Sequence, residues 1–355
     1  MKYNNVLITG GAGFVGSNIA LKLKQDYPAL RITCFDNLKR RGSELTLPRL
    51  RDAGITFIHG DIRNPEDMEI ENIDLLLECS AEPSVLAGIN TSPNYLLNTN
   101  LVGTINCLEL TRKNNADILF LSTSRVYPIE YINSLNYEEV ETRFNITDNQ
   151  DVPGASSKGI AESFPVDKPR SLYGATKLAS EILIAEYLET YGLQGIVNRC
   201  GVITGPWQMG KVDQGVFVLW VAKHYFNQNL SYIGYGGEGK QVRDFIHIDD
   251  LYSAIKVQLD NFDSYNKGVF NIGGGVENSL SLQELTKLCQ KVTGNSIQID
   301  SIKEDRPADL RFFITDSSKF IEKSGLKWQK NAEMTVSDIY QWIKDNEAAL
   351  KPILS

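Results

Sequence analysis

Five short apolar runs punctuate the first third of the chain, at 6–9, 32–35, 56–59, 75–78 and 118–122. Each is nearly continuous rather than alternating, the pattern of a parallel strand covered on both faces. Between several of them apolar positions recur with a helical period, most clearly over 14–25 and 98–113. This alternation predicts right-handed crossovers and an α/β fold, a Rossmann-type doubly wound parallel sheet. A further helix is expected over 173–191, ended by Gly192, and a sixth strand over 195–199.

Past residue 200 the rhythm loosens. Helical patterns lie at 215–225, 248–259, 282–293 and 336–346, and Ser281 with Glu284 in the following turn reads as an N-cap signal. The expected organisation is a dinucleotide-binding domain over 1–200 and a smaller mixed α/β substrate lobe over 201–355, interleaved with it. The stretch 128–170 breaks the pattern: it is rich in Asn, Glu, Asp, Ser and Pro and too long for a plain connection. It reads either as an excursion near a site or as a solvated insertion.

Composition narrows the class. With 355 residues, 42% of them hydrophobic and 23% charged, the chain has material for a large core. A formal net charge of -8 argues against nonspecific nucleic-acid binding and against docking on anionic lipid. No apolar stretch has the length of a signal peptide or membrane span, so a cytoplasmic protein is expected. Five scattered cysteines without a CxxC pair, and three histidines without ligand spacing, predict neither disulfides nor a metal site.

The chemistry begins at Gly10, Gly13 and Gly16, between the first strand and the first helix. In that setting Gly10 permits a tight turn, Gly13 lets backbone approach a pyrophosphate, and Gly16 lets the helix pack closely. The helix start, Phe14 and Val15, offers N–H groups and a positive dipole end to phosphates. Asp36 ends the second strand about 20 residues on, where an acid binds ribose hydroxyls and repels a 2′-phosphate. That favours NAD over NADP, although Lys39, Arg40 and Arg41 follow closely. Asp61 and Ile62, after the third strand, suit an adenine ring, but Asp61 equally suits a helix N-cap.

Tyr173 and Lys177 are four apart on a helix and so share a face. A free phenol is a poor base at neutral pH, with a pKa near 10. A neighbouring ammonium favours phenolate and brings proton transfer into range. Alone such a pair is usually a surface feature; after a glycine-turn βαβ unit it points to catalysis. Ser122, Thr123 and Ser124 close the fifth strand, at the edge where ligands sit in doubly wound sheets, and a hydroxyl there can bind a substrate oxygen.

These residues resemble the extended short-chain dehydrogenase/reductase superfamily, in particular its NAD-dependent nucleotide-sugar epimerases and dehydratases. The likeness runs through the whole chain: TGGAGFVG at 9–16, Asp36-Asn37, GDIRN at 60–64, Asn100, Tyr173/Lys177 and GKQVRDFIHIDD at 239–250. A closer similarity is to the subgroup that epimerises C2 of a CDP-linked sugar of the paratose/tyvelose type. It is carried by DNLKRRG at 36–42, ETRF at 141–144, Asp213-Gln214-Gly215, FNIGGGVENSLSL at 270–282 and Arg306 with Arg311.

The resemblance implies Thr123, Tyr173 and Lys177 as catalytic. It adds Asn37, Arg40, Ser80, Ala81, Asn100, Ser122 and Arg199 to the cofactor side. On the substrate side it implies Glu82, Ser84, Ser124, Arg125, Gln208, Gln214, Gly215, Arg243, Arg306 and Arg311, with Arg243 and Arg306 gripping a diphosphate and Arg311 a candidate helper. It also implies a nucleotide-sugar substrate, a homodimer or homotetramer built through helices 98–113 and 173–191, and a place in cell-surface polysaccharide biosynthesis. The chain departs from the pattern at Cys79-Ser80-Ala81, where many relatives have His-x-Ala, at Glu82 in place of Gln, and at Pro128 in place of Gly. Three rivals stay open: 4-epimerisation or net reduction; 4,6-dehydration, which wants an acid pair where Ser124-Arg125 stand; and a noncatalytic dinucleotide-binding scaffold.

Overall fold

A computed structural model of the chain describes residues 1–210 and 214–355, so Asp213 lies outside the described residues. It divides into two compact units. The first comprises Met1–Val126, Leu172–Arg199 and Tyr252–Phe270. Its elements are β1 (Asn5–Thr9), α1 (Phe14–Asp26), β2 (Arg31–Asp36), α2 (Leu47–Asp52), β3 (Thr56–His59), β4 (Leu75–Glu78), α3 (Gly103–Asn114), β5 (Asp117–Thr123), α4 (Leu172–Thr190), β6 (Gly195–Cys200), α5 (Ile248–Asp260) and β7 (Gly268–Ile272).

The strands form one seven-stranded sheet in the order β7-β6-β5-β4-β1-β2-β3. The pairs β1–β2, β2–β3, β1–β4 and β4–β5 are parallel. All six expected strands are present, and β7 was not foreseen. It lies beside β6, which is remote in sequence, and the short Gly268–Ile272 run carries Asn271, which disguises a buried strand. The chain leaves β1 for β2 and β3 on one side and for β4 and β5 on the other. The order therefore reverses between β1 and β4, and the carboxyl ends of these two strands frame the switch-point crevice. A core of Leu7, Phe35, Leu76, Ile118, Phe120, Ile184 and their neighbours lies under one face.

The predicted helix 98–113 is a composite. A π-helical turn, Asn98–Val102, runs directly into α3. That wider turn carries Asn100, and such turns favour functional positions.

The second unit comprises Tyr127–Ser171, Cys200–Leu251 and Asn271–Ser355. Val242–His247 is the spine of its sheet, parallel to Val202–Thr204 and Phe312–Phe313 and antiparallel to Ser279–Ser281. Val216–Tyr225, Leu282–Thr293 and Ala332–Asp345 are its main helices. Ser281 caps the second of these in a full capping box: its Oγ accepts from Glu284 N at 3.1 Å while the Glu284 carboxylate accepts from Ser281 N at 2.9 Å. Parts of the stretch 128–170 are hydrogen-bonded into this unit, while residues 136–141 are exposed. Phe144 N donates to Lys240 O (3.1 Å), Arg143 Nη2 to Ser279 Oγ (2.6 Å), and Ile160 N to Ile314 O (2.8 Å).

Candidate active site

At the end of β1 the chain turns through Gly10 with φ +63°. A β-carbon there would lie 2.9 Å from backbone atoms of Cys79 and Ser80 at the end of β4. One on Gly16 would lie 2.3 Å from Gly10 O. The loop is therefore closed to side chains by backbone on two sides. Helix α1 starts at Phe14 behind Gly13, and no side chain caps it. Its first N–H groups thus lack a side-chain acceptor, which fits the phosphates of a dinucleotide.

Asp36 closes β2. Its carboxylate accepts from Ala12 N (3.2 Å) and Leu38 N (2.8 Å), which leaves lone pairs for ribose hydroxyls. Burial pushes this carboxyl up, against the backbone N–H groups of Leu38, Ala12 and Gly13 that pull it down. Asn37 Nδ2 donates to Asp61 Oδ2 at 3.0 Å, so the ends of β2 and β3 are tied together. Arg63 grips Asp61 with two guanidinium nitrogens and lowers its carboxyl to about 2. The N-cap reading of Asp61 is not what forms: the short helix Pro65–Met68 is capped by Asn64, whose side chain accepts from Glu66 N. Ile62 is buried against Gly103, whose missing side chain makes room for it.

Asn100 holds the loop after β4. Its Oδ1 accepts from Glu82 N (2.7 Å), and its Nδ2 donates to Glu82 O (3.0 Å) and Thr176 Oγ1 (3.3 Å). The Glu82 side chain turns back to accept from Ser84 N at 3.2 Å. Ser80 Oγ donates to Glu78, and the Ala81 backbone follows in the same loop.

Tyr173 and Lys177 lie on α4 and are 9% and 2% exposed. A solvated surface pair is thus ruled out. The Lys177 ammonium sits 4.1 Å from the centre of the Phe120 ring on β5 and 3.6 Å from Glu78 Oε2 on β4. Thr123 ends β5, buried, its Oγ1 accepting from Arg125 N at 3.2 Å; Ser124 and Arg125 continue in a single 3₁₀ turn, Ser124–Val126.

Ser122 and Arg199 meet on one carboxylate that sequence reasoning passed over. Ser122 Oγ donates to Glu181, and Arg199 donates to both Glu181 oxygens, the shortest at 2.7 Å. The network is buried. Glu181 continues the stripe Tyr173, Lys177 at the same four-residue interval, which was the available signal. Glu78 was missed too, although a carboxylate ending a fully buried Leu-Leu-Leu run was visible.

In the second unit Arg243 and Arg306 converge on Asp309, at 3.0 and 3.5 Å. Burial lowers the Arg243 guanidinium from its usual value, and Asp309 raises it. Arg311 stands apart in an aromatic cage. Its guanidinium carbon lies 4.3 Å from the Tyr137 ring centre, 5.3 Å from Tyr235 and 5.8 Å from Phe144. Gln208 is turned inward, donating to Ile203 O (2.9 Å) and accepting from Thr204 Oγ1 (3.0 Å). Gly215, at φ +75°, starts the helix after Gln214. Among the described residues no group of three His, Cys, Asp or Glu side chains is arranged for a metal ion, and no helix is long and apolar enough to cross a membrane.

Comparison with known proteins places this geometry. The CDP-paratose 2-epimerase of Salmonella typhi is 32% identical over 352 residues, 95% of this chain and 98% of that protein. The crystal structure of dTDP-glucose 4,6-dehydratase from Bacillus anthracis str. Ames in complex with NAD is 25% identical, with a TM-score of 0.76 over 98% of this chain and 99% of that one. UDP-glucose 4-epimerase from Thermotoga maritima, solved with UDP-glucose, shares the fold at a TM-score of 0.77 and 24% identity, over 97% and 99% of the two chains. Residues 6–273 match the family described as "NAD dependent epimerase/dehydratase family", and the chain belongs to that family.

Proposed function

We propose that the protein epimerises a nucleotide-linked sugar, at C2 of a CDP-sugar of the paratose/tyvelose type. The observation that carries the chemistry is the buried Tyr173–Lys177 pair on α4, with Thr123 at the end of β5. The choice of sugar rests on the near full-length similarity to the Salmonella typhi enzyme. Ser124-Arg125 in place of an acid pair after Thr123 speaks against dehydration.

Gly10, Gly13, Gly16 and the first turn of α1 would hold the NAD phosphates, Asp36 the adenosine ribose, and Lys177 the nicotinamide ribose. Bound NAD supplies the hydride acceptor and donor. Tyr173, as phenolate, takes the proton from the sugar hydroxyl and later returns it. Lys177 stabilises that phenolate, and Thr123 hydrogen-bonds the reacting oxygen. Arg243 and Arg306 anchor the diphosphate, and this remote binding retains the transient ketosugar while its opposite face is presented. Arg311 is already engaged by aromatic rings and serves the anchor less directly.

The test is incubation with CDP-, UDP-, GDP- and dTDP-linked sugars, with products scored by NMR. Inversion at C2 of a CDP-sugar is expected. Inversion at C4 of a UDP-sugar would replace this reading with a 4-epimerase. Conversion of none, in protein that retains NAD, would favour a noncatalytic scaffold.

A further inference from the structure

Glu78 is the last residue of β4, directly across the register from Thr9 of β1 and Phe120 of β5. It thus stands at the switch-point edge of the sheet. It is fully buried. One carboxylate oxygen accepts from Ser80 Oγ, while Oε2 has no hydrogen-bond partner and faces the Lys177 ammonium at 3.6 Å. Lys177 is itself buried, with the face of Phe120 on its other side. A carboxylate is not tolerated in such a place without a compensating charge, and Lys177 is the cation that supplies it. Among the described residues, Cys107 of α3 is a further titratable group beside the pair, and burial keeps its thiol protonated; Tyr173 lies one turn before Lys177.

We infer that Glu78 is a positioning residue: it fixes the Lys177 ammonium at the switch point and offsets part of the positive charge that Lys177 presents to Tyr173. The inference rests on the assignment of Tyr173 and Lys177 to proton transfer. Its consequence has a definite sign. A negative charge beside Lys177 makes phenolate less favourable, so Glu78 holds the deprotonation of Tyr173 at higher pH than Lys177 alone would set. The ionisation step then sits where the phenol both takes and returns a proton, as a reaction that oxidises and re-reduces the same carbon requires.

Glu78→Gln keeps the shape and removes the charge. The tyrosinate absorbance of the enzyme, titrated against pH with the Tyr173→Phe protein subtracted, isolates this one phenol and needs no substrate. The Glu78→Gln curve is expected to move to lower pH by about one unit. The acid limb of kcat/KM should move with it, while KM for the nucleotide sugar changes little. Glu78→Asp, which keeps the charge but draws it back by one methylene, should move the curve the same way by less. A residue with a merely structural role would lower the unfolding midpoint and leave the titration where it was; that result overturns the inference, as does failure of both variants to fold. Absence of turnover in the wild-type protein would instead sink the epimerase reading, and the titration would still report on Glu78.

Discussion

A tyrosine one helical turn from a lysine gains chemical meaning from burial. In water the two would titrate almost independently, since an exposed charge pair gains little at that distance. On α4 both are enclosed, and the lysine lies between an aromatic face and a carboxylate. Tyr173→Phe removes the only group of the set that carries the proton and leaves the packing intact. Turnover should fall by roughly 10²-fold or more, with the protein still releasing NAD when denatured; full activity in that variant would dismiss the assignment. At the other end of the crevice, Asp61 provides a pH test. Arg63 holds its carboxyl at about 2, below its unfolded value. The pair therefore stabilises the folded state fully above about pH 4 and loses this contribution as pH falls towards 2. Because both side chains are partly exposed, the loss should be at most about 1 kcal/mol, read as a smaller acid-induced drop in the urea midpoint of Arg63→Gln than of wild type.

At the scale of elements, α4 is more than a carrier of the pair. Its buried Glu181 joins β5 through Ser122 and β6 through Arg199. Two neighbouring strands and the helix across them are thus fixed by one carboxylate. Glu181→Gln would remove the carboxylate charge from this buried network, at a cost of about 3–5 kcal/mol, and chemical denaturation should show it. A loss below about 1 kcal/mol would mean that water reaches the network. Why some of this could be read from sequence and some could not follows from the nature of the signals. Strands β1 to β6 and the helices α1 and α4 announce themselves by local periodicity, and the glycine turn by local spacing. The partners of Ser122 and Lys177 lie 59 and 99 residues away, and that of Arg199 lies 18 residues away on a different element; such pairings leave no local pattern. Ser122 and Arg199 were expected on the cofactor side, yet each also completes the buried Glu181 network. Strand β7 was hidden for the same reason, being defined by its place beside β6 and not by its own composition.

At the scale of the whole molecule, α4 and the helical stretch leading into α3 present apolar residues to solvent. Ile182 is 58% exposed, Tyr191 49%, Leu172 44% and Val102 38%. Leu172, Ile182 and Val102 lie on two neighbouring helices of one unit, and Tyr191 directly follows α4. The sequence-level expectation of a homodimer through these helices gives them a use, since an isologous interface buries the same patch twice. The buried faces of the same helix carry Tyr173, Lys177 and Glu181, so the interface would stiffen the element that holds the proton-transfer pair. Ile182→Glu combined with Val102→Glu places charges on the patch without touching a buried residue. Sedimentation should show the wild-type protein as a dimer or larger and the double variant shifted to monomer. The monomer should keep its helical circular dichroism but lose thermal stability in a protein-concentration-independent way, whereas the wild-type midpoint should rise with concentration. A wild-type protein that sediments as a monomer at all concentrations would leave the exposed patch unexplained by self-association and remove dimerisation as a support for α4.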